Sequence, residues 1–163
     1  MIRIEPITVR NTALFRSVRL RALQDAPYAF CSTYAREAAF DDVEWTRRVE
    51  RWSGEQGIGF LAMDGDQGCG IAGALLEESG QAQLVSMWTA PEYRQRGVGR
   101  LLVQAVTAWA VDRGLHTLRL MVTPQNPSAL NFYERLGFIR TGHSEPYSND
   151  ATLDQWEMAR SLK

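Results

Sequence analysis

The sequence of 163 residues has a formal net charge of −1, with 45% hydrophobic and 23% charged residues. This balance is typical of a globular domain and lacks the basic excess of a nucleic-acid binder, so we expect one domain over residues 1–163. No apolar run is long enough to cross a membrane, and Cys31, Cys69, His116 and His143 lack metal-ligand spacing. We therefore expect a cytoplasmic protein with no nucleic-acid partner, no membrane partner and no metal.

The N-terminal third predicts one strand followed by helices. Residues Ile2–Ile4 form a short apolar and charged alternation, and apolar side chains recur at helical spacing in the segment that follows. Two more short helices are predicted over residues 29–40 and 41–52. The second of them has Asp41 or Asp42 as its N-cap.

The middle of the sequence predicts three strands and the clearest helix. Apolar segments 58–63 and 70–76 flank a turn-rich stretch and are typical of a β-hairpin, and residues 81–89 follow as a third strand. A helix is predicted over Gly97–Arg113. Its apolar stripe consists of Leu102, Val106 and Trp109.

The C-terminal part predicts a strand over 116–122, one helix, and closing strands over 138–142 and 152–162. Asn126 is expected to cap the helix, which ends at Gly137. Strands and helices are mixed but do not strictly alternate. The pattern therefore predicts an α/β protein with a mixed sheet and helices on both faces.

The segment RQRGVGR at residues 94–100 combines three arginines with two glycines, between a predicted strand and the long helix. The first N–H groups of a helix have no internal partner, and the helix dipole adds partial positive charge there. Gly97 and Gly99 let backbone approach an anion closely, and the arginines add charge. The segment therefore predicts a site for a phosphorylated ligand, although a solvated basic turn would use the same residues.

Two familiar phosphate motifs do not match this segment. A P-loop needs Lys and then Ser or Thr after its last glycine, whereas Arg100 and Leu101 stand there. The Rossmann fingerprint needs a third glycine where this sequence has Leu102, and an acidic residue near the end of the next strand, where it has Val122 and Thr123. A nucleotide-binding regulator is therefore only the third hypothesis.

The stretch MWTAPEYRQRGVGRLLVQAV, followed by NPSALNFYERLGF, resembles the acetyl-CoA-binding core of the GNAT superfamily of N-acetyltransferases. The family signature matches at Arg94, Gly97 and Gly99, and the later asparagine and tyrosine match at Asn126 and Tyr133. The resemblance covers residues 84–142. It implies a mixed, mostly antiparallel central sheet whose strands splay apart to form a cofactor cleft.

The resemblance also implies an activity, the transfer of acetyl from acetyl-CoA to a primary amine by direct attack in a ternary complex. Met87 N–H would hold the acetyl carbonyl oxygen, Thr89 would pair with pantetheine, and the amides of residues 95–100 would wrap the pyrophosphate. The cofactor-binding residues implied in this way are Met87, Trp88, Thr89, Arg94, Gln95, Arg96, Gly97, Val98, Gly99, Arg100, Asn126 and Tyr133.

Tyr133 has two interpretations. It lies in the apolar stripe of its helix and is explained by core packing alone, whereas at the matching family position a tyrosine hydroxyl donates to the departing sulfur. The general base is not assigned, because Gln83 and Met121 stand where some family members have glutamate. Glu77 and Glu78 are candidates that would act through water.

The acceptor pocket is expected near the segment between the first helices and near the final strands. The candidate residues are Phe30, Tyr34, Glu37, Glu145 and Tyr147. Acidic residues surround them, so the sequence predicts a cationic acceptor, either a small molecule or a peptide amine. A second copy of the chain, as a homodimer, is another expected partner. The alternative function is an acyl-CoA-binding sensor that kept the cleft without turnover.

Overall fold

The computed structural model describes residues 1–163 and contains one seven-stranded sheet with five α-helices. The strands, β1 to β7 in chain order, are Ile2–Pro6, Gly57–Asp64, Gln67–Glu77, Gln81–Thr89, Thr117–Val122, Ile139–Tyr147 and Asp150–Ser161. The helices, α1 to α5, are Thr12–Asp25, Tyr34–Ala38, Asp42–Arg51, Val98–Asp112 and Pro127–Arg135.

The sheet has the strand order β1-β2-β3-β4-β5-β7-β6, and every neighbouring pair is antiparallel except β4 and β5. That parallel pair is short, because only Gln81–Gln83 pairs with Thr117–Arg119. Beyond these residues the two strands have no paired positions and diverge. The predicted mixed, mostly antiparallel sheet with two splayed strands is confirmed.

Strand β4 carries an irregularity at the place where it leaves β5. The register between β3 and β4 shifts between Ile71 and Gly73, so that Ser86 and Met87 together oppose Ala72. Ser86 has a φ of 58°, in the left-handed region that side chains rarely adopt. Such a bulge bends its strand and redirects side chains, which opens the space beside β5.

Helices cover both faces of the sheet, as the sequence predicts. On one face a Cβ at Gly73 would lie 2.8 Å from the ring of Trp52, just after α3. On the other face a Cβ at Gly70 would lie 3.0 Å from Leu102 of α4. The glycines of β3 thus allow both layers to pack closely against the sheet, with large buried side chains such as Phe15 and Trp45 between them.

Several predicted helix boundaries are confirmed by their caps. Asp41 accepts a hydrogen bond from the N–H of Glu44 at 2.9 Å and begins α3. Asn126 accepts from the N–H of Ala129 at 3.2 Å and begins α5, with proline at the first helical position. Each cap satisfies a donor that the helix itself leaves unpaired.

The single helix predicted over residues 29–40 is wrong. Only Tyr34–Ala38 is helical, and it begins where Thr33 accepts a hydrogen bond from the N–H of Arg36. The preceding Phe30 has extended backbone after a short 3₁₀ turn. The side chain of Asn149, from the turn after β6, donates to backbone carbonyls in this segment, so tertiary contacts override the local helical preference.

The stripe predicted for α4 packs against the core, and the buried face is broader than predicted. Leu102 and Val106 are fully buried, but Trp109 is only half-buried, and Val103 and Ala110 complete the buried face. The guanidinium of Arg113 lies over the Trp109 ring, 5.1 Å from its centroid. No helix combines the length and the apolar character that crossing a bilayer requires.

Candidate active site

A cavity of about 360 Å³ lies between the diverging strands β4 and β5. On one side it is lined from α5 by Asn126, Ala129 and Tyr133, and we call this side the α5 end. On the other side it is lined by arginines from the first three helices, and we call this side the arginine end. The arginines are Arg19, Arg36, Arg48 and Arg51. Met87 of the β4 bulge lies in the wall between the two ends.

The loop before α4 presents backbone donors. Gln95 and Gly97 have φ values of 62° and 82°, and Gly97 begins the helix without a side-chain cap. None of the N–H groups of residues 95–100 donates a hydrogen bond within the protein. Six unpaired amides at the positive end of a helix form a favourable environment for a phosphate group.

The arginines of this loop differ in their surroundings. The guanidinium of Arg94 donates to Asp25 at the end of α1 and to the carbonyl of Thr89, so its charge is already balanced. Arg96 lies over the ring of Tyr93, 4.7 Å from the centroid. Arg100 is exposed and has no ion-pair partner. Of the three predicted phosphate contacts, the guanidinium of Arg94 is therefore the least available.

Gly99 brings the loop, the bulge and α5 together. A Cβ at this position would lie 3.0 Å from the ring of Phe132 and 3.1 Å from the terminal methyl of Met87. A larger residue would push against both neighbours. The motifs that the sequence separates by more than thirty residues thus meet at one place, beside the α5 end of the cavity.

Tyr133 is buried, 8% exposed, and its ring packs edge-on against Phe132 and Phe138. Its hydroxyl makes no hydrogen bond within the protein and the residue lines the cavity. Burial raises the pKa of Tyr133 well above its ordinary value, so the phenol stays protonated at neutral pH. The ring belongs to the core, while the polar group lacks a protein partner.

No carboxylate lines the cavity. Glu77, one of the two candidate bases, does not line the cavity. Both of its carboxylate oxygens accept hydrogen bonds from Arg119. Arg119 also donates to Glu157 at 3.0 Å. Glu78 is exposed beyond the end of β3. The structure therefore brings neither glutamate to the reacting region, whereas Gln83 and Met121 do line the cavity.

A buried ion pair supports the arginine end. Arg19 donates from Nε and Nη2 to the two oxygens of Glu37, each at 2.9 Å, and from Nη1 to Ser86 Oγ at 2.6 Å. Burial alone would raise the pKa of the Glu37 carboxyl, but hydrogen bonds and positive charge, chiefly from Arg19, hold it below its ordinary value. The pair also ties α1 and α2 to the β4 bulge.

Only two of the five candidate acceptor-site residues line the cavity. Phe30 and Tyr147 line the cavity, but Tyr34, Glu37 and Glu145 do not. Tyr34 and Glu145 are exposed, and Glu37 is fully buried beneath the arginines. The acidic lining expected for a cationic acceptor is absent from this cavity, because Glu145 is exposed and Glu37 is paired with arginine.

Tyr147 holds the wall of the cavity together. Its hydroxyl donates to the carbonyls of Pro27 and Phe30, and Asn149 donates to the same tyrosine oxygen at 3.1 Å. Sequence analysis identified Tyr147 but not the four arginines of the cavity. The spacing of Arg48 and Arg51, which places them on one face of α3, was the only local signal for them.

Comparisons with known proteins agree with this architecture. The model of the acetyltransferase (GNAT) family matches residues 19–138. A GNAT-family acetyltransferase from Streptococcus pneumoniae superposes with a TM-score of 0.81 at 20% identity, covering 100% of both chains. The PaiA N-acetyltransferase of Thermoplasma acidophilum, solved with coenzyme A, gives 0.76 at 16% identity, covering 99% of both chains.

Curated relatives match the chain over shorter segments. The mycothiol acetyltransferase of Rhodococcus jostii is 34% identical over 101 residues, which are 58% of this chain and 33% of that relative. The bovine thialysine N-epsilon-acetyltransferase is 37% identical over 54 residues, 33% of this chain and 32% of that relative. The chain thus spans about a third of the length of these relatives. From the family match and the shared fold, we conclude that the chain belongs to the acetyltransferase (GNAT) family.

Proposed function

We propose that the protein transfers the acetyl group of acetyl-CoA to an amine, by direct attack of the amine in a ternary complex. The observation that carries this proposal is the cavity between β4 and β5, which reaches both faces of the sheet. Two substrates that enter from opposite faces meet between the strands without displacing one another. Such a route requires no covalent enzyme intermediate.

The α5 end is suited to acetyl-CoA. The unpaired amides of residues 95–100, with Arg96 and Arg100, offer donors and charge for a pyrophosphate. Met87, Trp88 and Thr89 follow the bulge on the free edge of β4, where an extended pantetheine arm would find backbone partners. Asn126 uses its side-chain oxygen to cap α5 and keeps its amide group for the ligand.

Two groups are placed to assist the chemistry. We assign the oxyanion donor to the Met87 N–H, because the bulge turns this part of β4 out of regular pairing. We assign the proton donor to the Tyr133 hydroxyl, which is protonated, buried and unpaired. The C–N bond forms as the carbonyl electrons move to the oxygen, and the C–S bond breaks when they return. The sulfur receives the tyrosine proton, the amine nitrogen releases one proton to water, and water returns a proton to the tyrosinate.

The amine proton has no carboxylate to accept it in the cavity. An amine with a pKa near 10 is mostly protonated at neutral pH. Water in the arginine end is therefore the proposed acceptor of this proton. The positive charge of the arginines favours the neutral form of a nearby amine, because like charges lower the pKa of an ammonium group.

The test combines binding with turnover. Calorimetry should show that acetyl-CoA binds, and that Arg100→Glu weakens the binding about tenfold or more, since a charge-assisted contact becomes repulsive. Arg10→Glu makes the same charge change at an exposed arginine outside the loop and should leave the affinity unchanged. A panel of amines with acetyl-CoA, followed by free thiol release, should then identify an acceptor. Failure of acetyl-CoA to bind would refute the proposal.

A further inference from the structure

We propose that the acceptor is an amine that also carries a carboxylate or phosphate group, and that the arginine end binds this anion. The inference rests on the proposed function, since it identifies the substrate class of that transfer. It replaces the cationic acceptor that the sequence predicts. The ligand would place its amine between β4 and β5 and its anionic group against α2 and α3.

The charge of the arginine end is only partly balanced. Glu37 is occupied by Arg19 through two hydrogen bonds, and Arg19 therefore contributes little free charge. Arg36 and Arg51 have no carboxylate within 4.0 Å, although both line the cavity. The cavity wall thus includes two exposed guanidinium groups that no acidic side chain neutralises.

Arg48 is the most informative of the four arginines. Its Nη1 lies 3.7 Å from Glu37 and its Nε lies 3.8 Å from Glu44, both beyond hydrogen-bond distance. Its Nε is buried and has no hydrogen-bond partner. A buried, unpaired donor on a charged group is costly. The rest of the guanidinium makes no hydrogen bond within the protein, and the side chain is 30% exposed, so it keeps donors for an anion in the cavity.

Guanidinium groups are well suited to the proposed ligand. Their planar donors match the two oxygens of a carboxylate or the oxygens of a phosphate. No acidic side chain in the cavity wall would repel such a group. Tyr28, Phe30 and Trp52 line the same region and provide apolar surface for the body of the ligand. The site therefore combines anion recognition with an apolar wall.

The arginines are also separate from the loop that would hold pyrophosphate. They belong to α1, α2 and α3, whereas residues 95–100 precede α4. Helix α3 is followed by Trp52 on the face of Gly73, and α4 lies on the face of Gly70. The two positive regions therefore lie on opposite faces of the sheet and should bind different substrates.

Matched pairs of amines test this inference in the protein saturated with coenzyme A. The carboxylate pair is L-phenylalanine and its carboxamide, and the phosphate pair is O-phosphoethanolamine and ethanolamine, so that only the first member of each pair carries an anionic group. Calorimetry should show the member with the anionic group, in at least one pair, binding about tenfold or more tightly than its partner. The pair that shows the difference identifies which anion the site accepts.

Variants assign the effect to the arginines. Arg48→Gln and Arg51→Gln should each reduce binding of the amine with the anionic group about tenfold, with little change for its partner without that group. Arg47→Gln, on the same helix but outside the cavity, is the matched control and should change neither. Affinity for coenzyme A should be unchanged in all three variants.

The outcomes separate the two proposals. If coenzyme A does not bind, the proposed function fails and this inference fails with it. If coenzyme A binds but neither amine with an anionic group binds better than its partner without that group at millimolar concentration, the inference alone is overturned. It is also overturned if Arg48→Gln and Arg51→Gln leave the difference within each pair unchanged, because another group then recognises the anion.

Discussion

The two ends of the cavity are built from different parts of the polypeptide. The α5 end presents one face of α5 and adjoins the loop of residues 95–100, whose backbone amides are unpaired. The arginine end uses side chains from α1, α2 and α3, held together by the turn after β6. The proposed pyrophosphate site beside the α5 end thus uses main-chain N–H groups, whereas the proposed anion site at the arginine end uses side chains.

This difference explains why one end leaves a sequence signature and the other does not. A backbone site favours glycines at fixed positions, because glycine adopts positive φ values without strain and allows close approach. A side-chain site needs charged groups to meet in space, and many sequences can achieve that. Acetyl-CoA recognition therefore depends on a short motif, while acceptor recognition depends on tertiary structure.

The largest effect is expected at the α5 end. Tyr133→Phe removes the hydroxyl but keeps the packed ring, and should lower turnover about 10²–10⁴-fold if the phenol donates the proton. Affinity for acetyl-CoA and the melting temperature should change little. The measurement is kcat from thiol release, under conditions in which the chemical step limits the rate. Unaltered turnover in the folded variant would leave Tyr133 with a packing role only.

At the arginine end, the ion pair of Arg19 and Glu37 should dominate stability. Glu37→Gln leaves the buried Arg19 without a compensating charge, and should lower the free energy of unfolding by about 3–5 kcal/mol. Glu145→Gln removes an exposed carboxylate outside the cavity and should have almost no effect. Denaturant unfolding of both variants measures the difference. Equal stabilities would show that the pair does not support this end.

The same carboxylate predicts a pH dependence. The pKa of Glu37 is lower in the folded protein than in the unfolded chain, so its stabilising contribution is complete above the unfolded value of about 4.3. That contribution is lost as the pH falls through the lowered folded value. The pH profile of the unfolding free energy should therefore be flatter in Glu37→Gln than in the wild type.

A smaller effect is expected at Tyr147, whose hydroxyl holds the wall of the cavity together. Tyr147→Phe removes the donor of the Pro27 carbonyl, while the Phe30 carbonyl keeps the side-chain amide of Asn149, and we expect a cost of about 1–3 kcal/mol of stability. The acceptor KM should rise more than the acetyl-CoA KM. Tyr34→Phe, at an exposed tyrosine outside the cavity, is the control. A rise confined to the acetyl-CoA KM would contradict the assignment of ends.

The smallest effect is expected at Cys31, which is exposed and lies in the cavity wall. Direct attack by the amine needs no acetyl-cysteine, so Cys31→Ser should change turnover less than about threefold. When both substrates are varied, the lines of the double-reciprocal initial-velocity plot of the wild type should intersect. Parallel lines, together with an inactive Cys31→Ser variant, would replace the ternary complex with a covalent route.

Much of the fold follows from local sequence, because its elements have strong periodicity and caps. Strand β4 was predicted at its observed bounds, and the caps at Asp41 and Asn126 are confirmed. The helix predicted over 29–40 failed because Tyr147 and Asn149, more than a hundred residues away, hold that segment extended. No local pattern reports such a contact.

The candidate site also has one part that the sequence predicts and one part that it does not. The loop at residues 95–100 was predictable, because glycine spacing reflects backbone geometry. The acidic residues near the first helices suggested a cationic acceptor, since a sequence does not show which charges are neutralised. Glu37 is buried against Arg19, and Glu145 is exposed on an edge strand. The charge of the cavity wall at the arginine end therefore depends on which side chains are buried and which are paired, and only the fold determines this.

The most direct test of the central claim, that two separate ends bind two substrates, is steady-state kinetics with both substrates varied. The wild type is compared with Arg100→Glu and Arg51→Gln, using the best acceptor from the thiol-release panel. We predict that Arg100→Glu raises the KM for acetyl-CoA about tenfold, and that Arg51→Gln raises the KM for the acceptor about tenfold, each leaving the other KM unchanged. A rise in the acetyl-CoA KM of Arg51→Gln, with the acceptor KM unchanged, would contradict the account.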